Sequence, residues 1–257
     1  LSELDSLKRK YGDTLEGIFN YRESQLAELK SLENLETSYG ELEKEIETLK
    51  QTVCKNAGEI SKSRKKAVKE FEKLVLTGLH ELGLERSKFK AEITSLPTDE
   101  NSEQTYSAKG SDRVEFMIAT NPGNPLKPLA KIASGGEISR IMLAIKTTLN
   151  EDISLNSMIF DEIDSGISGR VAETVGFKLV KLSLARQVIC ITHSPQIAAK
   201  ALGHLRVEKK FKDNSSVTLV KQLDEDERVE EIARFLGGNE ISEKTRSVAR
   251  DMLTKKN

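Results

Sequence analysis

The chain has 257 residues, of which 32% are charged and 5% aromatic, with no tryptophan and a formal net charge of -1 at pH 7. So many charges beside so few aromatic side chains are untypical of one compact domain and favour a long solvated helix next to an ordinary core. The near-zero net charge gives no support for attraction of nucleic acid by the molecule as a whole, so any such contact must come from a local patch.

Two cysteines, Cys54 and Cys190, lie far apart and form no metal-ligand or disulfide pattern. Cys190 lies in an apolar run, which predicts a buried free thiol and is consistent with a reducing cytoplasm. No apolar run is long enough to span a bilayer, and no signal peptide is recognisable. Because the sequence begins at Leu1 without an initiator Met, we expect it to be a fragment of a longer protein.

Residues from about 13 to 85 predict one long helix. Steps of four and three, typical of a coiled-coil seam, separate the apolar residues Leu35, Tyr39, Leu42, Ile46, Leu49 and Val53. The same stripe continues through Ile60, Ala67, Val68, Phe71, Leu74, Val75 and Leu82. At 1.5 Å per residue, some 70 helical residues would form an arm of roughly 105 Å, and we assign residues 1–85 to this coiled-coil arm. Residues 1–10 are too short to cover the stripe, and residues 11–13 predict a turn, so we expect a partner helix outside this sequence or in another chain.

Residues 86–257 predict an α/β lobe: a mostly parallel sheet with covered faces, flanking helices and a β-hairpin. Predicted strands cover residues 88–94, 113–119, 157–161, 187–191, 204–211 and 216–223. Predicted helices cover residues 135–150, 168–182, 226–236 and 242–253, the third ending at Gly237-Gly238. Residues 101–111 and 121–125 predict a polar loop and a turn, and Asp213-Asn214 predicts the turn of the hairpin.

Two segments of this lobe carry functional chemistry. Ala133-Ser134-Gly135-Gly136-Glu137 opens a helix, where backbone N–H groups can bind an anion, although a serine N-cap with permissive glycines would look the same. The apolar run 158–160 ends in Asp161-Glu162, and two carboxylates at a strand end can hold Mg²⁺ and orient a water. Together they indicate ATP chemistry. No Gly-x-x-x-x-Gly-Lys-Ser/Thr phosphate loop occurs in the sequence, so it carries half of an ATPase site.

The order of these elements resembles the head of an ABC-type ATPase. Residues 133–137 resemble its signature motif, residues 158–162 its Walker B strand, and His193 its switch histidine. Residues 128–140, 160–169 and 192–199 further resemble the RecN family, bacterial double-strand-break repair ATPases related to the SMC proteins. The resemblance is close over about 130–200 and only architectural over 1–85. It implies that residues 86–257 form the C-terminal lobe of an ABC/SMC-type ATPase head and that residues 1–85 form its coiled-coil arm.

The resemblance also implies roles for individual residues, with ATP and Mg²⁺ as cofactors. Asp161 would hold Mg²⁺, Glu162 would orient or deprotonate the attacking water, and His193 would sense the γ-phosphate. A second group would act across the contact between two heads, gripping the γ-phosphate or crossing to the other subunit: Ser134, Gly135, Gly136, Glu137, Asp164 and Ser168. Many ABC heads have an Asp where this chain has Ser168. We expect the paired acids and the glycines to lie on opposite edges of the lobe, each serving a different nucleotide.

The implied mechanism is an ATP-driven clamp in which ATP joins two heads and hydrolysis releases them. The implied partners are DNA, the N-terminal ATPase lobe of the same protein and a second head in a homodimer, without a membrane, in the bacterial cytoplasm near the nucleoid. The fragment alone should be inactive, because it lacks a phosphate loop. Alternatives are the nucleotide-binding subunit of an ABC transporter, a non-catalytic coiled-coil module, and a chromosome-organising or zinc-hook protein of the SMC group. A transporter subunit would not explain the arm, and Glu162 and His193 argue against an inert head.

A basic cluster lies near the root of the arm, formed by Lys62, Arg64, Lys65, Lys66 and Lys69. Contact with DNA phosphates is one interpretation, since such contact is electrostatic and independent of base sequence. A solvated helix face is the simpler one. The remaining histidines, His80 and His204, have no comparable context and are expected to be structural or surface residues.

Overall fold

A computed structural model describes residues 2–96, 105–132, 134–149, 157–212, 215–238 and 240–254. The chain forms two compact units, one of Leu1–Ser63 with Leu96–Asp112 and the other of Arg64–Ser95 with Arg113–Asn257. Among the helices of the described residues, none is long and apolar enough to cross a bilayer.

The first unit is mainly helical. Helix α1 (Ser2–Tyr11) is followed by a turn at Gly12, whose φ of +146° suits glycine, and then by α2 (Leu15–Glu81), whose residues from 64 onward belong to the second unit. The predicted long helix and turn are confirmed. Tyr39, Leu42 and Ile46 are exposed along α2. The partner helix that would cover them stays a prediction.

In the second unit, the last turns of α2 are part of the core. Val75, Leu79 and Leu82 are fully buried in a cluster with Phe89 and Ile118. We expected Val75 and Leu82 to face a partner helix in the coiled-coil stripe. They pack instead against strands and helices of this unit, because the apolar periodicity of a helix does not reveal which element covers it.

The strands and helices that follow α2 agree with the predicted ones to within two residues at each boundary. The strands are β1 (Lys88–Ser95), β2 (Asp112–Ala119), β3 (Lys127–Pro128), β4 (Ser157–Phe160), β5 (Gln187–Cys190), β6 (Leu205–Lys212) and β7 (Ser215–Gln222). The helices are α3 (Gly135–Thr148), α4 (Gly169–Ser183), α5 (Pro195–Ala198), α6 (Glu225–Gly237) and α7 (Glu243–Thr254). We did not predict β3, α5 or a short 3-10 helix at Leu129–Lys131.

Some predictions fall outside the described residues: Asp213-Asn214 at the hairpin turn, residues 101–104 of the polar loop, Ala133 and Asn150. The turn at 121–125 is confirmed by the N–H of Asn124, which donates to the carbonyl of Asn121 at 3.3 Å. Helix α6 ends as predicted, with Gly238 at a φ of +65°.

Strands β4 and β5 form the parallel pair of the lobe, with Ser157 opposite Gln187 and Phe160 opposite Cys190. One face of the pair is buried through Met158 and Phe160. Within the described residues the other face is open, with Ile159 69% and Ile191 57% exposed, so this chain does not itself provide the predicted cover on that face. The α/β class, the parallel strands, the flanking helices, the antiparallel β6–β7 hairpin and the long helix are confirmed.

Candidate functional site

The parallel pairing of β4 and β5 brings two predicted motifs to one edge of the lobe. The two strands end at the same level of the sheet, because Phe160 lies opposite Cys190 and the N–H of Ile191 donates to the carbonyl of Phe160 at 2.9 Å. Asp161 and Glu162 follow β4 and His193 follows β5, so all three leave the strands at the same edge. Their side chains are exposed there.

The signature-like segment begins α3 close to the same edge. Ser134 is the N-cap residue, and its Oγ accepts from the N–H of Glu137 at 3.4 Å. Ser134 and Gly135 are exposed and Gly136 is buried, so the first turn of the helix is partly open to an approaching anion. Ala133, which we included in this segment, lies outside the described residues.

Two side chains of α3 bind the backbone that follows β4. Oγ of Ser139 donates to the carbonyl of Asp161 at 2.7 Å. Nη1 of Arg140 donates to the carbonyls of Ile163 at 3.2 Å and Ser165 at 2.7 Å. Arg140 is only 5% exposed, and burial lowers the pKa of its guanidinium while nearby Glu137 opposes that change. An arginine stays charged under such conditions, so these are charge-assisted hydrogen bonds.

These contacts place the two motifs directly against each other. A methyl group on Gly135 would lie 2.8 Å from Oε2 of Glu162, and one on Gly136 would lie 2.7 Å from Cβ of Ser165 and 2.8 Å from the carbonyl oxygen of Glu162. Our expectation that the acids and the glycines occupy opposite edges is wrong. The physical reason is that Ser139 and Arg140 fasten the first turns of α3 to residues 161–165.

Glu162 has an unusual backbone conformation. Its φ of +54° makes it the one residue other than glycine with a positive φ among the described residues. This left-handed conformation costs roughly 1–3 kcal/mol and persists where the surroundings hold it. Here the N–H of Ser165 donates to the carbonyl of Glu162 at 2.9 Å, closing a turn. The turn presents the carboxylate of Glu162 on the exposed edge, where it could accept a proton or orient a water.

Asp161 is the candidate metal ligand. No cluster of three or more His, Cys, Asp or Glu side chains suited to a metal ion exists in the described part of the chain. Mg²⁺ is commonly held by one or two carboxylates together with waters and substrate phosphates. The exposed carboxylate of Asp161 fits that kind of shared site and does not form a metal site by itself.

Asp164 lies inside the lobe and contacts the loop after β5. Its Oδ2 accepts from Oγ1 of Thr192 at 2.6 Å and from the N–H groups of His193 at 2.9 Å and Ser194 at 3.0 Å. Nδ1 of His193 lies 3.1 Å from the same oxygen. Burial alone would raise the pKa of Asp164, but the hydrogen bonds from Thr192 and the backbone N–H of His193 outweigh it and hold the pKa below its usual range.

The two residues to which we gave a crossing role therefore differ in accessibility. Asp164 is 3% exposed, and its hydrogen bonds lie within this chain. Ser168 is exposed and occupies the N-cap position of α4, without a capping hydrogen bond from its side chain. Of the two, only Ser168 is placed where a second molecule could reach it.

Sequence reasoning missed three residues that shape this edge: Ser139, Arg140 and Thr192. Each acts through a contact between segments 22 to 28 residues apart, for which no local pattern exists. Cys190 is the last residue of β5; it is half-buried and forms no disulfide. Burial raises the pKa of its thiol to about 12, and the negative charges of Asp164 and Asp161 add to that effect. His80 is exposed at the end of α2, and His204 is partly buried beside Phe235.

Comparison with known proteins identifies relatives over nearly the whole chain, although no protein-family model matches it. It is 39% identical over 261 residues to the DNA repair protein RecN of Bacillus subtilis, with 98% of this chain and 45% of that protein covered. It is 40% identical to RecN of Halalkalibacterium halodurans and 38% identical to RecN of Vibrio cholerae, with 98% of this chain and 44% of each protein covered. The chain thus spans a little under half the length of the curated relatives that it matches.

Among solved structures, the Smc head domain with a coiled coil and joint from Pyrococcus yayanosii covers 85% of this chain and 38% of its own, at 17% identity and a TM-score of 0.45. That likeness is too low to assign the fold. The agreement with RecN proteins extends over both the arm and the lobe, beyond the segments 128–199 on which the resemblance was first based. The resemblance to the RecN DNA repair proteins is therefore confirmed, over 98% of this chain.

Proposed function

We propose that this chain is the C-terminal part of an SMC-like ABC ATPase that acts in DNA double-strand-break repair and recombination. The observation that carries the proposal is the register of β4 and β5, which brings Asp161, Glu162 and His193 to one open edge. The signature-like first turn of α3 lies against that edge. The RecN relatives support the same function, which would be carried out by a bacterial cytoplasmic protein close to the nucleoid.

In this proposal the residues of the edge have different roles in ATP hydrolysis. Asp161 would help to hold Mg²⁺, which neutralises charge on the phosphates when bound. Glu162 would orient the attacking water or take its proton, and His193 would contact the γ-phosphate. The carboxylate of Glu162 rests near Gly135 here, and rotation of this exposed side chain would suffice to turn it toward the water.

The residues at the start of α3 would bind ATP from a second head. The exposed hydroxyl of Ser134 and the N–H groups of the first helical turn are suitable donors for a γ-phosphate. Glu137 and Ser168 would lie at the same contact between heads. ATP would thus join two heads in a homodimer, and hydrolysis would separate them.

The lobe that carries the phosphate loop is the second proposed partner. Ile159, Ile189 and Ile191 form an exposed apolar face on the parallel pair, and buried parallel strands are normally covered on both faces. We assign this face to the N-terminal ATPase lobe, since more than half of each RecN relative lies outside the matched part. The chain by itself should accordingly show no ATP turnover.

The catalytic assignment is tested with Glu162→Gln in the complete ATPase. Because glutamine keeps the shape but cannot take a proton, hydrolysis should fall by at least about 100-fold while ATP-bound dimers accumulate. The matched control is Glu85→Gln, at an exposed position in the turn after α2. Turnover would be measured by phosphate release and dimerisation by light scattering. Normal turnover in the Glu162→Gln variant would remove Glu162 from its role.

DNA contact is proposed for the basic cluster on α2. Lys65, Lys66 and Lys69 are exposed and, at spacings of three and four, lie on one side of the helix. Phosphate contacts make affinity depend on salt. Lys65→Glu with Lys66→Glu should weaken binding of duplex DNA and reduce its salt dependence, whereas Lys30→Glu, at an exposed position elsewhere on α2, should change neither. Equal affinities in a fluorescence anisotropy titration would identify the cluster as a solvated face.

A further inference from the structure

Asp164 and His193 form a pair that links a buried carboxylate to an exposed imidazole. The side chain of Asp164 is 2% exposed and that of His193 is 83% exposed, yet Nδ1 of the imidazole lies 3.1 Å from Oδ2 of the carboxylate. The imidazole therefore turns its Nδ1 side toward the lobe, while most of the ring faces solvent. We propose that Asp164 is a positioning residue for His193, keeping Nδ1 protonated and turned toward the lobe so that Nε2 is the nitrogen that faces a bound nucleotide.

The electrostatic argument concerns the position of one proton. A neutral imidazole carries its proton on either Nδ1 or Nε2, and the other nitrogen presents a lone pair. A lone pair on Nδ1 would lie 3.1 Å from the negatively charged carboxylate oxygen of Asp164, which is repulsive, whereas the proton of an N–H at that position is attracted to the charge. The low pKa of Asp164 keeps the carboxylate charged at neutral pH.

The surroundings of Asp164 make the arrangement rigid. Oδ2 also accepts from the backbone N–H groups of His193 and Ser194 and from Oγ1 of Thr192. Oγ1 of Thr192 in turn accepts from the N–H of Ser194 at 3.0 Å. The carboxylate thus holds the backbone of His193 by a hydrogen bond and lies beside its ring, which restricts the directions in which Nε2 can point.

The inference rests on the proposed function, in which His193 contacts the γ-phosphate. With Nδ1 facing Asp164, Nε2 is the ring nitrogen left to meet the nucleotide, and it donates to a phosphate oxygen only when both ring nitrogens carry a proton. The contact with the nucleotide would then depend on a single atom whose position is set from inside the lobe. Asp164 would act through His193 without reaching a second head, in contrast to the crossing role that the sequence indicated.

The test is nitrogen-15 NMR of the imidazole groups in the 257-residue chain at pH 8.5, where an ordinary histidine is neutral. The chain has three histidines, and the signals of His193 are identified by their loss in a His193→Gln variant. We expect Nδ1 to be protonated and Nε2 bare in the unmodified chain. In Asp164→Ala the balance should move toward the Nε2–H form by at least about threefold. Asp164→Asn, which keeps an acceptor but loses the charge, should lie between the two.

Thr192→Val separates positioning from general loosening of the loop. This variant removes one hydrogen bond to Asp164 but leaves the carboxylate beside Nδ1, so the proton should stay on Nδ1. An equal change in Thr192→Val and Asp164→Ala would show that loop integrity sets the tautomer, and would overturn the proposal. So would a predominant Nε2–H form in the unmodified chain, which settles the question even if Asp164→Ala does not fold.

A second measurement distinguishes this inference from the proposed function. In the complete ATPase, His193→Ala should reduce ATP turnover, and Asp164→Asn should reduce kcat more than it changes KM. If His193→Ala hydrolyses ATP normally, the role of His193 in the proposed function fails, although the NMR result on the proton still stands. If His193→Ala is impaired while the NMR shows Nδ1 bare, the positioning role of Asp164 fails and the proposed function remains.

Discussion

Replacing Gly136 by alanine tests how tightly α3 is fastened to the backbone after β4. The added methyl group would lie 2.7 Å from Cβ of Ser165 and 2.8 Å from the carbonyl oxygen of Glu162, whereas ordinary contacts are 3.4 Å or longer. Gly136 does not have a positive φ, so the backbone conformation itself would accept alanine. The cost therefore comes from the close approach of the two segments.

The expected magnitude follows from two opposing effects. Overpacking a tight contact costs about 1–3 kcal/mol, and alanine in place of glycine in a helix recovers about 0.5–1 kcal/mol. Because a carbonyl of the backbone must move, we expect the overpacking to outweigh the gain, so that Gly136→Ala lowers the free energy of unfolding by about 1–2 kcal/mol. Gly135→Ala is the matched control, since its methyl group would meet only the movable end of the Glu162 side chain. It should change stability by less than about 1 kcal/mol.

The assay must report on the lobe alone. The chain has no tryptophan, and its four tyrosines all lie in the first unit, so intrinsic fluorescence does not serve. Cys190 lies in the lobe and is half-buried, so its labelling by a thiol reagent in increasing urea, in a Cys54→Ser background, measures opening of the lobe. Equal urea midpoints for Gly136→Ala and Gly135→Ala would refute the close packing of Gly136 against residues 162–165.

Three further predictions concern the same edge. Because burial raises the pKa of Cys190 to about 12, its thiol should react at pH 8 roughly a hundredfold more slowly than an unperturbed thiol, or more slowly still. Mass spectrometry of labelled peptides measures the rate, and equal rates for the two thiols would contradict the burial of Cys190. The Arg140→Met variant leaves the carbonyls of Ile163 and Ser165 without their donor. It should therefore lower the free energy of unfolding by about 1–3 kcal/mol in the urea assay. An unchanged free energy would show that these hydrogen bonds contribute nothing to stability. The pKa of Asp164 is lower in the folded lobe, so its contribution to stability is complete above about pH 4 and is lost as the pH falls below that. The Asp164→Asn variant should therefore lose less stability on acidification than the unmodified chain. An unchanged dependence of stability on acid pH would argue against a charged Asp164.

Local patterns in the sequence determined most of the elements. Apolar residues recurring at helical spacing predicted α2 to within four residues at its C-terminal end, because a helix of that length is specified by its own periodicity. The apolar run before Asp161 and the one before Thr192 predicted β4 and β5. A helix that starts with Ser134-Gly135-Gly136 and a strand that ends in Asp161-Glu162 were sufficient to predict a nucleotide site, since helix starts bind anions and paired carboxylates can hold Mg²⁺.

Only the tertiary structure decided which segments touch. Arg140 reads in the sequence as one more polar residue of an amphipathic helix, but it binds carbonyls 23 and 25 residues away. That contact brings Gly135 against Glu162, where we had expected separate edges. Asp164 likewise reads as an exposed acid in a loop but is buried against Thr192 and His193. The periodicity of a segment indicates which secondary structure its backbone forms and which of its side chains share a face. The contacts of Arg140 and Asp164 depend on the relative position of two segments, which no local pattern contains.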